Sequence, residues 1–189
     1  MGRERLARLK RLVEEERREL GKRRRRRRRA VVLAGAAAVL AVLYVLTLGI
    51  GIRMVWGDSM YPSYQEGDVI VYRRGREIEV GEVAVIETGY GKLLKRVAGK
   101  SGDKIEIEEG SGKVRRNEVT QEEKYAVGKE KSESSIEYPY EVGEGEVFVL
   151  GDNRESSLDS RSREFGVIKE EQIKGKVVYV WRRVRNRME

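Results

Sequence analysis

The chain has 189 residues, enough for one compact domain and additional segments. It contains no cysteine and no histidine, which excludes disulfides, thiolate or imidazole metal sites and any Ser-His-Asp triad. The net charge of +8 is unevenly spread: residues 1–29 hold 15 Lys/Arg against 5 acids, so residues 30–189 are net −2 and do not form a basic nucleic-acid-binding domain.

Residues 3–20 are predicted helical. Leu6, Leu9, Val13 and Leu20 fall near one face, and Glu4/Arg8 and Glu14/Arg18 are spaced as i,i+4 pairs. Such a segment is a solvated helix, a partly disordered tail, or a helix lying on an anionic lipid surface. Lys22 and Arg23–Arg29 follow as an unbroken cationic run, and then Ala30–Ile50, 21 residues without a charge. At a rise of roughly 1.5 Å per residue this run spans about 30 Å, one hydrocarbon thickness. A soluble helix is rarely apolar on every face. The expected organisation is a basic cytoplasmic segment (1–29), a transmembrane helix (30–51) and an extracytoplasmic domain (52–189). The arginines hold the N-terminal end in the cytoplasm. A cleavable signal peptide is the competing reading; the apolar run is longer than such peptides carry, and 29 residues precede it.

Beyond the span the pattern changes to short β-type runs at 68–73, 82–87, 92–97, 104–108, 146–150 and 175–181. Gly89-Tyr90-Gly91 and Gly110-Ser111-Gly112 read as hairpin connections. The expected fold is mainly β, an antiparallel sheet, with residues 104–145 as a peripheral ribbon or flexible excursion whose 110–145 part is the least apolar.

Three clusters carry candidate chemistry: Gly57-Asp58-Ser59-Met60-Tyr61-Pro62, Lys95-Arg96, and Gly151-Asp152-Asn153-Arg154-Glu155-Ser156-Ser157-Leu158-Asp159-Ser160-Arg161. Without histidine, a nucleophilic Ser59 needs Lys, Asp, Glu, Tyr or the N-terminal amine as its base. A lysine serves only when neutral, which burial achieves. Strand alternation puts Lys95 on one face with Leu93 and Val97, while Leu94 and Arg96 point the other way and Lys92 lies nearer the hairpin. Each cluster also has a plainer reading. Ser59 suits a turn or cap, Lys95 a strand edge, and the third cluster a polar loop. That third cluster lacks the glycine and closing-glutamate spacing of an EF-hand, so no metal or other cofactor is expected.

Taken together, the three blocks behind a span resemble bacterial type I signal peptidases (peptidase family S26), membrane-bound Ser-Lys proteases that remove signal peptides from exported proteins. The likeness is greatest to the small single-span forms of Gram-positive bacteria. It covers the span and nearly all of residues 52–181; the N-terminal helix and arginine run lie outside it. The resemblance implies a catalytic β domain of the kind shared with self-cleaving SOS repressors. It implies Ser59 as nucleophile, Lys95 as general base and Ser157 as the hydroxyl orienting that lysine. Asp159 and Arg161 would form a supporting ion pair, and Asp152 and Arg96 a structural one. The backbone N–H of Ser59 would serve the oxyanion; some relatives add a serine hydroxyl at the position held here by Gly57. Substrates would be signal peptides of secretory preproteins with small residues one and three positions before the cut. They would bind as an added strand beside 53–58 and 92–95, with Met54, Val55, Trp56, Leu93 and Leu94 as neighbours. A monomer in the plasma membrane is expected, touching the bilayer and, through the basic segment, anionic lipid. In such a site Ser59 Oγ would approach Lys95 Nζ to about 3 Å, with looser geometry when empty. Soluble SOS repressors lack the span and the third block, histidine-dependent microsomal enzymes are excluded, and the remaining alternatives are a non-catalytic anchored β domain and a nucleic-acid or anionic-lipid tether acting through the arginine run.

Overall fold

The structure is a computed structural model that describes residues 2–108, 110–128 and 136–183. Parts of the 104–145 excursion (109 and 129–135) and the last six residues lie outside the described residues.

The chain divides into two units, Met1–Thr47 and Leu48–Glu189. The described part of the first belongs to one helix, α1 (Gly2–Gly49), that joins the expected amphipathic segment, the cationic run and the apolar run without a break. Its Gly21–Gly49 part is long and apolar enough to cross a membrane. Val31, Leu33, Val39, Leu43 and Leu48 are all exposed, as an all-round apolar surface requires if lipid is its solvent. The helix stops two residues short of the expected end. Ile50 and Gly51 instead pair with Arg73 and Tyr72 and begin a strand.

Among the described residues the second unit holds eleven strands: β1 (Ile50–Met54), β2 (Val69–Arg74), β3 (Val83–Thr88), β4 (Gly91–Lys100), β5 (Lys104–Ile107), β6 (Val114–Arg116), β7 (Val119–Thr120), β8 (Tyr140–Glu141), β9 (Glu146–Leu150), β10 (Ile168–Lys169) and β11 (Ile173–Trp181). Seven form an antiparallel sheet in the order β1-β2-β11-β3-β4-β9-β10. The other four form a small sheet, β7-β6-β5-β8, within the 104–145 excursion. Both glycine triplets connect hairpins, β3–β4 and β5–β6. The five strands without a clear run in the sequence are β1, which hydropathy merges with the span, and the short β6, β7, β8 and β10.

β3 sits at the centre and is apolar on both faces. Ala84 and Ile86 pack with Ile78, Val97, Val147, Val149, Ile168 and Ile173, while Val83 and Val85 pack with Val55, Met60, Ile70, Tyr72 and Leu94. A third cluster, Ala98, Ile105, Ile107, Val114, Val142, Phe148 and Leu150, joins the small sheet to β4 and β9. The β1 edge is different. Ile52 lies opposite Val71 and Val71 opposite Tyr179; Met54 lies opposite Val69 and Val69 opposite Trp181. Directly paired residues share a sheet face. That face therefore presents Ile50, Ile52, Met54, Tyr179 and Trp181, all exposed, with exposed Trp56 following Met54 at the same period.

Candidate active site

Ser59 lies in the turn after β1. Val55 N–H donates to Asp68 O at 2.8 Å and Gly67 N–H to Val55 O at 3.0 Å, so pairing persists one residue beyond the strand. The chain then turns at Gly57, whose φ of +77° is a left-handed conformation that side chains rarely adopt. Tyr61 N–H donates to Asp58 O at 2.9 Å, closing a turn around Ser59. Met60 is buried in the core and anchors that turn. A serine at position 57 would need a strained backbone, which accounts for the glycine there.

Lys95 lies on β4 opposite Ala84 of β3 and is 2% exposed. Its strand neighbours Leu93 and Val97 pack into one core cluster and Leu94 into the other, as alternation requires. Lys95 Nζ donates to Ser157 Oγ at 3.0 Å. Burial pushes the ammonium group down to about 8; Asp159, Asp152 and Asp58 oppose that drop and Arg161 adds to it.

The 151–161 loop is held by its own ion pair. Arg161 Nε and Nη2 donate to the two oxygens of Asp159 at 2.8 and 3.0 Å, and Gly151 N–H donates to Asp159 Oδ2 at 2.9 Å. Arg96, pointing away from Lys95, makes a bidentate bond to buried Asp152, Nε–Oδ1 2.8 Å and Nη2–Oδ2 2.6 Å. A Cβ on Gly151 would overlap the Ser157 side chain and stand 2.5 Å from Ser59 O. The loop therefore meets the Ser59 turn at a position only glycine fills. Asn153 fastens the junction, its N–H donating to Ser59 O at 3.0 Å and Nδ2 to Asp58 O at 3.3 Å.

The sequence-derived residues are thus linked: the Ser59 carbonyl, Ser157 and Asp159 meet at Gly151, Lys95 joins through Ser157, Arg161 through Asp159, and Arg96 through Asp152, the residue after Gly151. The expected direct bond is not formed. Among the described residues Ser59 Oγ makes no hydrogen bond, and Lys95 points its amine to Ser157 instead. Sequence reasoning passed over Arg154. It is 5% exposed, donates Nε to Gly151 O at 3.0 Å and pairs with Glu123 at 2.7 Å. An arginine inside a loop block reads as solvated until its carboxylate partner, 31 residues earlier, is known.

A cleft of about 280 Å³ opens beside Ser59, lined by Arg53, Met54, Val55, Trp56, Gly57 and Met60 on one side and Tyr90–Leu94 on the other. Both walls have strand edges to offer. β1 is an edge strand, and β9 pairs with β4 only from Arg96 to Lys100, leaving Gly91–Lys95 with β3 alone. Arg53 Nη2 reaches across to Lys92 O at 3.3 Å.

The sequence pattern of the family described as signal peptidase, peptidase S26, matches residues 27–182. Among curated proteins, the chain is 28% identical over 159 residues to signal peptidase I of Bacillus amyloliquefaciens, covering 75% of this chain and 82% of that one. It is 33% identical over 166 residues to signal peptidase IB of Staphylococcus aureus, covering 74% and 84%. A crystal structure of a signal peptidase I from Enterococcus faecalis aligns with a TM-score of 0.44 at 25% identity, over 54% of this chain and 97% of that one. With the family pattern spanning most of its length and running through all three blocks, the chain belongs to the signal peptidase family, peptidase S26, and is a serine-type endopeptidase.

Proposed function

We propose that the chain cleaves signal peptides from exported preproteins by a Ser59–Lys95 mechanism at the outer membrane–water interface. The observation that carries this reading is the buried Lys95 amine, 3.0 Å from Ser157 Oγ and pushed down to about 8, on the strand whose free edge walls the Ser59 cleft. Neutral Lys95 takes the Ser59 proton as Oγ attacks the scissile carbonyl, then gives it to the departing amine. The acyl-enzyme is released by a water that Lys95 deprotonates in turn. Ser157 holds the amine between turnovers, and the Ser59–Lys95 bond forms when substrate fills the cleft. The Ser59 N–H serves the oxyanion. Gly57 brings no hydroxyl, so a further donor must be backbone or water.

The substrate lies extended between 53–58 and 92–95, with small residues one and three positions before the cut. Arg53 must leave the Lys92 carbonyl for a substrate strand to use it. The exposed face of Ile50, Ile52, Met54, Trp56, Tyr179 and Trp181 supports seating this domain on the bilayer, since tryptophan and tyrosine favour the interface. β1 follows α1 in the chain with no intervening residue. The arginine run keeps the N-terminus cytoplasmic and meets anionic headgroups, and the enzyme acts as a monomer.

Cleavage of a preprotein by the full chain in liposomes tests the mechanism. Ser59→Ala and Lys95→Ala should each lose roughly 10⁴-fold in kcat with the fold intact. Activity surviving in both would end the dyad reading.

A further inference from the structure

The segment 121–128 forms no strand, yet it braces the site loop at three places. Val127 N–H donates to Asp152 O at 2.8 Å and Arg154 N–H to Val127 O at 2.9 Å, a parallel bridge between Val127 and Asn153. Glu123 Oε1 accepts from Arg154 Nη2 at 2.7 Å, and the two side chains are 11% and 5% exposed. The ring of Tyr125 lies 3.8 Å from the Arg96 guanidinium carbon, and its hydroxyl donates to the same Glu123 oxygen at 3.1 Å. Arg154 passes this hold onward. Its Nε donates to Gly151 O at 3.0 Å, and its carbonyl accepts from Arg161 Nη2 at 2.8 Å.

We propose that Glu123, assisted by Tyr125, is a positioning residue for Lys95: by fixing Arg154 it clamps the 151–161 loop that presents Ser157 to the lysine and keeps water from it. The proposal rests on the reading of Lys95 as general base. Arginine does not deprotonate, so a buried Arg154 without its carboxylate must seek water or another acceptor. Either course pulls on the Gly151 carbonyl and on the Arg161 contact, and the loop loosens over Lys95. The charged groups that face Lys95 are Asp152, Asp159 and Arg161 of the loop and Asp58 of the Ser59 turn; Ala84, opposite on β3, adds no charge. Burial is the largest influence on the lysine, so wetting the loop returns its proton affinity toward that of free lysine.

The test is the pH profile of preprotein cleavage by the full chain in detergent micelles, across about pH 6 to 10. In Glu123→Gln, which keeps the shape and an acceptor oxygen, the acid limb should move to higher pH by about half a unit. KM should stay within about twofold and activity should recover at alkaline pH. Glu123→Ala should move it further. A limb unmoved in a folded Gln variant, or a loss equal at every pH, would overturn the proposal. Should the Gln variant not fold by thermal melt, Tyr125→Leu repeats the test, because it withdraws the ring beneath Arg96 and the hydroxyl on Glu123 while leaving the ion pair. A smaller alkaline movement is expected there, since only the support of the clamp is withdrawn, and a limb that stays in place counts against the proposal. A wild-type profile without an acid limb near 8 removes the lysine-base reading itself, whereas a wild-type limb that does not move in the variants removes only the role of Glu123.

Discussion

At the residue scale, Lys95 sets activity against stability. Its ammonium form is pushed down to about 8 by burial, whereas in the unfolded chain it titrates near the usual lysine value of about 10.4. Between these values the unfolded state binds the extra proton, so this group makes stability rise with pH over that window and costs most below 8. In the proposed mechanism Lys95 acts as its neutral form, whose fraction rises over the lower part of the same range, so kcat/KM should climb through about pH 8 to a plateau. Lys95→Met removes the buried charge at similar volume. It should abolish cleavage while stabilising the domain at pH 7 by on the order of 2–3 kcal/mol, a gain that shrinks toward pH 10 in denaturant titrations. Gly151 is equally constrained by its neighbours. Gly151→Ala would force a side chain between Ser157 and the Ser59 carbonyl, and should cost activity well beyond the about 1–3 kcal/mol expected of overpacking alone.

At the element scale, β1 works in two directions. Inward, Gly51 gives way to the buried Tyr72 ring, and an added Cβ would stand 2.5 Å from Tyr72 Cε1. Gly51→Ala should therefore destabilise the sheet edge by about 1–3 kcal/mol in denaturant titration. Outward, β1, β2 and β11 together expose the aromatic face. Trp56 and Trp181 are the only tryptophans in the chain, and both are exposed at that edge of the sheet. In liposomes of brominated lipid the intrinsic fluorescence should be strongly quenched, and Trp56→Phe should leave a quenched Trp181 signal. Unquenched emission with the protein fully inserted would show that this face does not meet the bilayer.

At the scale of the whole molecule, one apolar helix and one β unit divide the work of anchoring and chemistry. The cationic run precedes the span, and only Arg53 lies close behind it. The arginine side should stay cytoplasmic. In intact cells a membrane-impermeant amine reagent should therefore label exposed Lys113, and protection of that residue until the membrane is opened would reverse the topology.

Much of this was open to reading along the chain. Composition removed histidine and cysteine chemistry, the uncharged run from Ala30 marked the helix, and alternation around Lys95 chose the inward-facing lysine. These are local properties, encoded in periods of two and 3.6 residues. Hydropathy could not separate Ile50 and Gly51 from the span, because β1 keeps an apolar outer face; pairing with β2 made them strand. The two- and three-residue strands carry too little pattern to announce themselves. Above all, nothing local ties Glu123 to Arg154, Tyr125 to Arg96, or Gly151 to Ser59. The sequence by itself determined which side chains were available for the chemistry, and that Lys95 shares its strand face with apolar residues. Only the tertiary structure decided who holds that lysine, because burial and ion pairing depend on partners brought together from distant parts of the chain.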